Sequence, residues 1–415
     1  MLKRIVSLML AVFCLGWSMA MAENTFFYGG ADAEWYQAML RDGIMNLGNN
    51  RRLKDVIRRA QAGEEITVAT IGGSVTEGAG AARYEECYAA RFAQGFAARY
   101  GADGGQNVHL VNAGVGGTAS TFGLMRYQRD VVDRCKDADG MPDVLVIEYS
   151  VNDYQEPTKH RCFESLVKTA LSQPNRPAVI LLFAVFRGGF NLQDELKKIG
   201  FTYDLMMVSI KDAAFPHVGK EWTPEAFYFD EYHPTSLGHG VMADCLLAAV
   251  EAANAAETSE QDIDLDVAPA YGVDYMGLIT LYGGGDWPDT VTVERGGFAH
   301  DDNQSYANKP IGRVCGKNFC HWETDPDEPL RVTGKFKKLL IAWRASGESK
   351  FGAAEIVVDG KVKQTLSGGQ GKWGQSEVVM IWDSKTDAEE HTLEIRMAEG
   401  SGNKRFTITA IGIVQ

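Results

Sequence analysis

The sequence contains no paired CxxC motif, no internal repeat, no low-complexity segment and no excess of positive charge. The missing cysteine pairs exclude a structural zinc module. The missing repeats exclude a solenoid, and the ordinary composition, 45% hydrophobic and 23% charged, excludes a disordered chain. Basic residues are outnumbered, with 41 Lys+Arg against 55 Asp+Glu and a net charge of −14. Such a chain is a poor partner for nucleic acid or an anionic membrane and suits a neutral ligand. After residue 22 no apolar run is long enough to cross a bilayer, so no membrane insertion is expected in the mature form.

The single long apolar run lies at the start. Lys3-Arg4, the run from Ile5 to Trp17 and Ala20-Met21-Ala22 form a positive, apolar and small-residue series, the pattern of an export signal cleaved before Glu23. Cys14 sits inside the run rather than after a small-residue motif, so lipid attachment is not expected. Loss of Lys3 and Arg4 takes the net charge from −14 to −16, and six cysteines remain. Cys315 and Cys320 are close enough in sequence to bridge a loop in an oxidising compartment. Cys87, Cys135, Cys162 and Cys245 read as buried thiols.

At 415 residues, two domains are expected. Residues 23–50 show no clear period and read as an N-terminal wrap. Beyond them strands and helices alternate. Strand-like runs cover Ile66 to Ile71, Val108 to Asn112, Val144 to Tyr149 and Ala178 to Phe186. Helical periods cover Asn50 to Ala60, Tyr84 to Tyr100, residues 161–172, most of Leu192 to Ala214 and Gly238 to Ala256. This alternation predicts an α/β domain over residues 23–256: a three-layer fold with a parallel sheet between two helical layers. Residues 257–266 are acidic and polar, a linker. Over 267–415 the runs become short, β-rich and separated by glycine turns, with Asp359-Gly360 at a hairpin; these predict a β-sandwich or jelly roll.

Four stretches fall where predicted strands end. Gly72-Gly73-Ser74 follows the first strand, Gly114-Val-Gly116-Gly117 the second and Asn152 the third, and Asp230-Glu-Tyr-His233 precedes the last helix. In an open α/β sheet these edges share one crevice. A serine hydroxyl is a weak nucleophile and needs a base; His233 can serve, and Asp230 can fix its tautomer. The negative oxygen formed in acyl transfer needs donors, which the Ser74 amide, a glycine amide near 116–117 and the Asn152 side chain can supply. Asp153 reads as a cap or loop brace, His239 as structural and Glu77 as a bracing carboxylate. Tyr154, Arg187 and Trp222 lie on loops near the crevice, where they could contact a substrate.

These blocks resemble the SGNH (GDSL-type) hydrolase superfamily over residues 50–255. The matching stretches are Gly72-Gly-Ser-Val-Thr-Glu-Gly78, Asn112-Ala-Gly-Val-Gly-Gly117, Val151-Asn-Asp153 and Asp230-Glu-Tyr-His233-Pro234. The resemblance implies a flavodoxin-like sheet, catalysis by Ser74, His233 and Asp230, an oxyanion hole from Ser74, Gly117 and Asn152, and no metal or organic cofactor. Two positions depart from the pattern: Gly73 stands where many members carry aspartate, and Ser150 replaces a usual glycine. The Gly-Gly-Ser form, the export signal and the added β-rich domain resemble secreted carbohydrate esterases. They imply an exported enzyme that deacetylates plant cell-wall polysaccharide of the xylan or xyloglucan type. A lipid esterase, lysophospholipase or thioesterase of the same superfamily, and an inactive glycan-binding protein, are the alternatives. Trp287, Trp322, Trp373 and Trp382 could stack on sugars or pack the β-rich core.

Overall fold

A computed structural model describes residue 27 and residues 33–135, 140–304, 309–310, 314–371 and 374–415. The leader expected over residues 1–22, and Trp373, lie outside the described residues. The first part of the chain contributes β1 (Ile44–Asn46), β2 (Ile66–Gly72), β3 (Val108–Gly114), β4 (Val144–Glu148), β5 (Ala178–Phe183) and β6 (Met206–Ser209). They form one sheet in the order β1-β6-β5-β4-β2-β3. Strands β2 to β6 are parallel, and only β1 is antiparallel. β2, β4 and β5 are buried at every position, because helices cover both faces. Alternate side chains divide between two cores. Ile66 and Val68 face the helices Arg51–Gln61, Tyr88–Tyr100 and Ser236–Ala255; Ala69 and Ile71 face Ser120–Asp130, Arg161–Leu171 and Gln193–Thr202.

One sequence expectation fails here and another is incomplete. The stretch read as an irregular wrap contains the helix Glu34–Asp42 and edge strand β1. The stretch read as mostly helical holds β6. Both strands are four residues or fewer, too short for a period to distinguish strand from buried helix.

The second part contributes β7 (Ile279–Leu281), β8 (Val291–Glu294), β9 (Phe319–His321), β10 (Leu330–Phe336), β11 (Lys338–Ala345), β12 (Ala353–Val358), β13 (Lys361–Ser367), β14 (Gln375–Asp383), β15 (Glu389–Met397) and β16 (Phe406–Val414). Two antiparallel sheets pack face to face: β13-β12-β15-β10-β8 against β14-β11-β16-β7, with β9 beside β16. Asp359 and Gly360 turn the β12–β13 hairpin with φ of 52° and 73°, the left-handed pair such a tight turn needs.

The β14-β11-β16-β7 sheet is covered on both sides. Leu339, Ile341, Ile408 and Ile413 fill the sandwich, while Leu340, Ala342, Ala410 and Val414 join the core beneath the helices Ser120–Asp130 and Arg161–Leu171. The two parts therefore share a continuous apolar core. Polar straps reinforce it. The buried Glu164 carboxylate accepts the N–H groups of Ala270, Tyr271 and Gly272 at 2.6–2.8 Å. Arg161 pairs with Asp274 and Asp383, both at 2.7 Å. The polar stretch read as a linker is tied down by Asn50, which donates to Glu257 O, and by the two-pronged Arg52–Asp262 pair.

Candidate active site

β2 ends in Gly72, and the chain turns at once into the short helix Ser74–Glu77. Ser74 therefore stands at the carboxyl edge of β2. Asn152 stands just beyond β4, and these two neighbours mark the point where strand order reverses. The glycine stretch follows β3, on the other flank of β2. The loop before helix Ser236–Ala255 brings His233 into the same crevice. Ser74 Oγ lies 2.9 Å from His233 Nε2, and His233 Nδ1 lies 2.8 Å from Asp230 Oδ2. Asp230 Oδ1 also accepts the N–H groups of Tyr232 and His233 at 2.7 and 2.8 Å. Burial pushes the Asp230 carboxyl up, but its hydrogen bonds from His233 and these amides outweigh that and hold it below the usual range. The carboxylate is thus the stable form, and it directs Nδ1–H towards itself. That leaves Nε2 able to take the Ser74 proton.

Gly116 N–H donates to Glu77 Oε2 at 2.6 Å, so it is occupied. Gly117, at φ 69°, has no intrachain acceptor for its N–H among the described residues and is the glycine free to donate. Asn152 rests on Gly73: a Cβ there would fall 2.2 Å from Asn152 Oδ1. Glycine at this position is therefore what leaves room for the Asn152 amide against the turn that carries Ser74. The other departure is also accommodated. Ser150 Oγ donates to Ala184 O at 3.0 Å and lies 3.4 Å from Glu148 Oε1.

The cleft has a volume of about 770 Å³ and is lined by Ser74, Gly117, Asn152, His233 and an aromatic rim. Tyr154, Tyr232 and Phe190 are 61%, 56% and 43% exposed. Phe186 links them: its ring centroid is 6.0 Å from Phe190 and 5.1 Å from Tyr232, and Tyr154 meets Phe190 edge-on at 6.3 Å. Lys309 and Gln375 from the β-rich part complete the lining. Of the three loop residues expected near substrate, only Tyr154 lines this cleft. Trp222 is 4% exposed and packs among Trp35, Tyr36, His217 and Phe227, because an indole gains more by burial than the loop gains by presenting it. Arg187 is held in an ion pair with Glu225 at 2.6 Å and lies outside the lining.

The neighbouring ionisable groups are structural. Asp153 accepts the Ser120 N–H at 2.8 Å and caps the helix Ser120–Asp130. Burial lowers His239 to about 4; its Nδ1 accepts the Tyr88 N–H and its Nε2 meets Ala79 O. Cys315 and Cys320 do not bridge: Arg129 contacts Cys315 Sγ at 3.7 Å, and Thr407 Oγ1 donates to Cys320 Sγ at 3.4 Å. Among the described residues no group of three or more His, Cys, Asp or Glu could hold a metal ion, and no helix is long and apolar enough to cross a membrane. Trp287 stacks on Phe319 and Trp322 on His300. Trp382 packs beside His391 with Lys363 over its face.

Beneath the Ser74 turn lies Glu148, fully buried at the end of β4. Thr76 Oγ1 contacts its Oε2 at 3.2 Å. Burial raises this carboxyl from its ordinary 4.5 to about 7, against the bonds from Thr76 and Ser150. The folded state therefore holds an extra proton between about pH 4.5 and 7, and stability falls as pH rises through that window. The effect is roughly 3 kcal/mol. Glu148→Gln is expected to remove this slope, and Tm measured at pH 5 and pH 8 for both proteins checks it. An equal drop in Tm for wild type and variant would show that Glu148 does not titrate there.

A doubly wound α/β sheet that carries a hydrogen-bonded serine–histidine–aspartate set at its switch point defines the class, an ester-hydrolysing enzyme. Residues 70–241 match the model of the GDSL-like Lipase/Acylhydrolase family, and the chain carries such a domain, followed by an antiparallel β domain. No curated protein matches the sequence. Among solved structures, the chain is similar to a two-domain esterase (CEX) active on acetylated mannans. Identity is 26% and the TM-score 0.75, covering 90% of this chain and 97% of that one. The same esterase co-crystallized with mannopentaose gives 25% identity and a TM-score of 0.74 over the same shares.

Proposed function

We propose that the protein is an exported serine esterase that removes O-acetyl groups from plant cell-wall polysaccharide, with a mannan-type backbone favoured over the xylan or xyloglucan inferred from sequence. The observation that carries the reading is the 2.9 Å Ser74–His233 contact, with Asp230 behind it, opening onto an aromatic-rimmed cleft. Ser74 Oγ attacks the acetyl carbonyl while His233 Nε2 takes its proton, and Asp230 stabilises the imidazolium. The Ser74 and Gly117 amides and the Asn152 side chain bind the developing oxyanion. Collapse expels the sugar hydroxyl, which takes the proton from His233. Water, deprotonated by His233, then attacks the acyl-enzyme and releases acetate, regenerating Ser74.

Exposed rings of Tyr154, Phe190 and Tyr232 suit the apolar faces of sugar rings. The similar esterase acts on acetylated mannans, which makes mannan the first substrate to try. Acetate release from acetylated glucomannan, xylan, xyloglucan and pectin tests the proposal; glucomannan is expected to release fastest. No release from any of them, with hydrolysis of long-chain acyl esters, would replace this reading by the lipid-esterase one.

A further inference from the structure

Glu77 touches both halves of the molecule. It ends the helix that begins with Ser74. One carboxylate oxygen, Oε2, accepts the Gly116 N–H at 2.6 Å; the other, Oε1, accepts Lys309 Nζ at 2.7 Å. The loop between them is tightly packed. A Cβ at Gly116 would lie 2.9 Å from Glu77 Oε2 and 3.4 Å from Ser74 Cβ, and one at Gly114 would lie 2.1 Å from Glu77 N. The Glu77 and Lys309 side chains are 21% and 15% exposed, so the pair is more shielded than a surface ion pair. Lys309 comes from the β domain, which is fixed to the α/β domain by their shared core.

We propose that Lys309 and Glu77 are positioning residues through which the β domain sets the oxyanion loop. Lys309 fixes the Glu77 carboxylate, the carboxylate fixes the Gly116 peptide, and that peptide aims the next N–H, that of Gly117, at the reacting carbonyl. The β domain is then part of the catalytic device, in addition to forming a wall of the cleft. The inference rests on the serine-esterase reading but not on the identity of the polysaccharide.

The test uses the full chain and p-nitrophenyl acetate, a substrate with no sugar. Lys309→Met is expected to lower kcat about tenfold with little change in KM, and Glu77→Ala about a hundredfold, since a misplacement near 1 Å can cost that much. Lys309→Arg is expected to restore most of the rate. Glu77→Gln keeps an acceptor for Gly116 N–H but loses the charge, so adding Lys309→Met to it should cost little more. A fall in Tm with unchanged kcat would overturn the inference and make the pair a domain staple. Loss of activity on polysaccharide alone, with p-nitrophenyl acetate unaffected, would overturn it and make Lys309 a substrate contact. Wild type inert towards p-nitrophenyl acetate, or a Ser74→Ala variant as active as wild type, would remove the catalytic reading beneath it.

Discussion

Ser74→Ala is expected to reduce acetyl-ester hydrolysis by about 10⁵- to 10⁶-fold, the scale seen when a hydrogen-bonded catalytic serine is removed. The argument rests on geometry. Ser74 Oγ has one basic neighbour at 2.9 Å, His233 Nε2, whose other nitrogen is already held by Asp230. Among the described residues, the neighbouring ionisable side chains are engaged elsewhere. His239 is pushed down to about 4 and is engaged at both ring nitrogens, and Asp153 is spent on a helix cap. His233→Ala is expected to cost about as much as Ser74→Ala. The double variant should lose little further, because the two act as one unit. Asp230→Asn should cost less, about 10⁴-fold. Steady-state kinetics on p-nitrophenyl acetate and on an acetylated glycan read all four. A Ser74→Ala protein that retained a tenth of the wild-type kcat would sink the assignment, and Tm confirms that each variant is folded. The serine is at the surface of a cleft rather than in a core, so stability should be little changed.

Gly73→Ala is expected to cost about 10²- to 10³-fold in kcat, although the methyl never touches substrate. The new Cβ would stand 2.2 Å from Asn152 Oδ1, 2.7 Å from Cγ and 2.8 Å from Nδ2, well inside any real contact. Asn152 must rotate away, and with it goes the oxyanion donor proposed for it, a group worth about 3 kcal/mol in comparable enzymes. Asn152→Ala should therefore lose a similar factor. The two losses should not multiply in the double variant, since both remove the same interaction. Additive losses would mean that Gly73 acts through the Ser74 turn itself. An unchanged kcat in Gly73→Ala would mean that Asn152 contributes nothing at the oxyanion. Aspartate, the residue many members of the superfamily carry there, should not rescue this chain, because its Cβ meets the same amide.

Much of this was written locally. Buried strands in a parallel sheet are continuous apolar runs, so β2, β4 and β5 stood out. So did the serine, glycine and asparagine that follow strand ends, because a strand end fixes where the next residue must lie. Asp230 and His233 are three residues apart and could be paired on spacing alone. β13 was marked only by the Asp359-Gly360 turn before it: it is an edge strand whose first five residues are exposed, so burial left no pattern along it.

Tertiary structure decided what depended on distant packing. Trp222 and Arg187 sit on loops near the crevice, but a core of Trp35 and Phe227 claimed the first and Glu225 the second. Glu77 read as a bracing carboxylate, yet nothing nearby named its partner, Lys309, which lies 232 positions further along. The difference between Gly116 and Gly117 also emerged only in three dimensions, where that carboxylate occupies one of two adjacent amides. The sequence by itself pointed to Ser74, His233 and the sheet that carries them, because each follows from a local pattern. Only the fold determined which side chains form the wall of the cleft and which group holds the Gly116 peptide, because these depend on how a second domain docks.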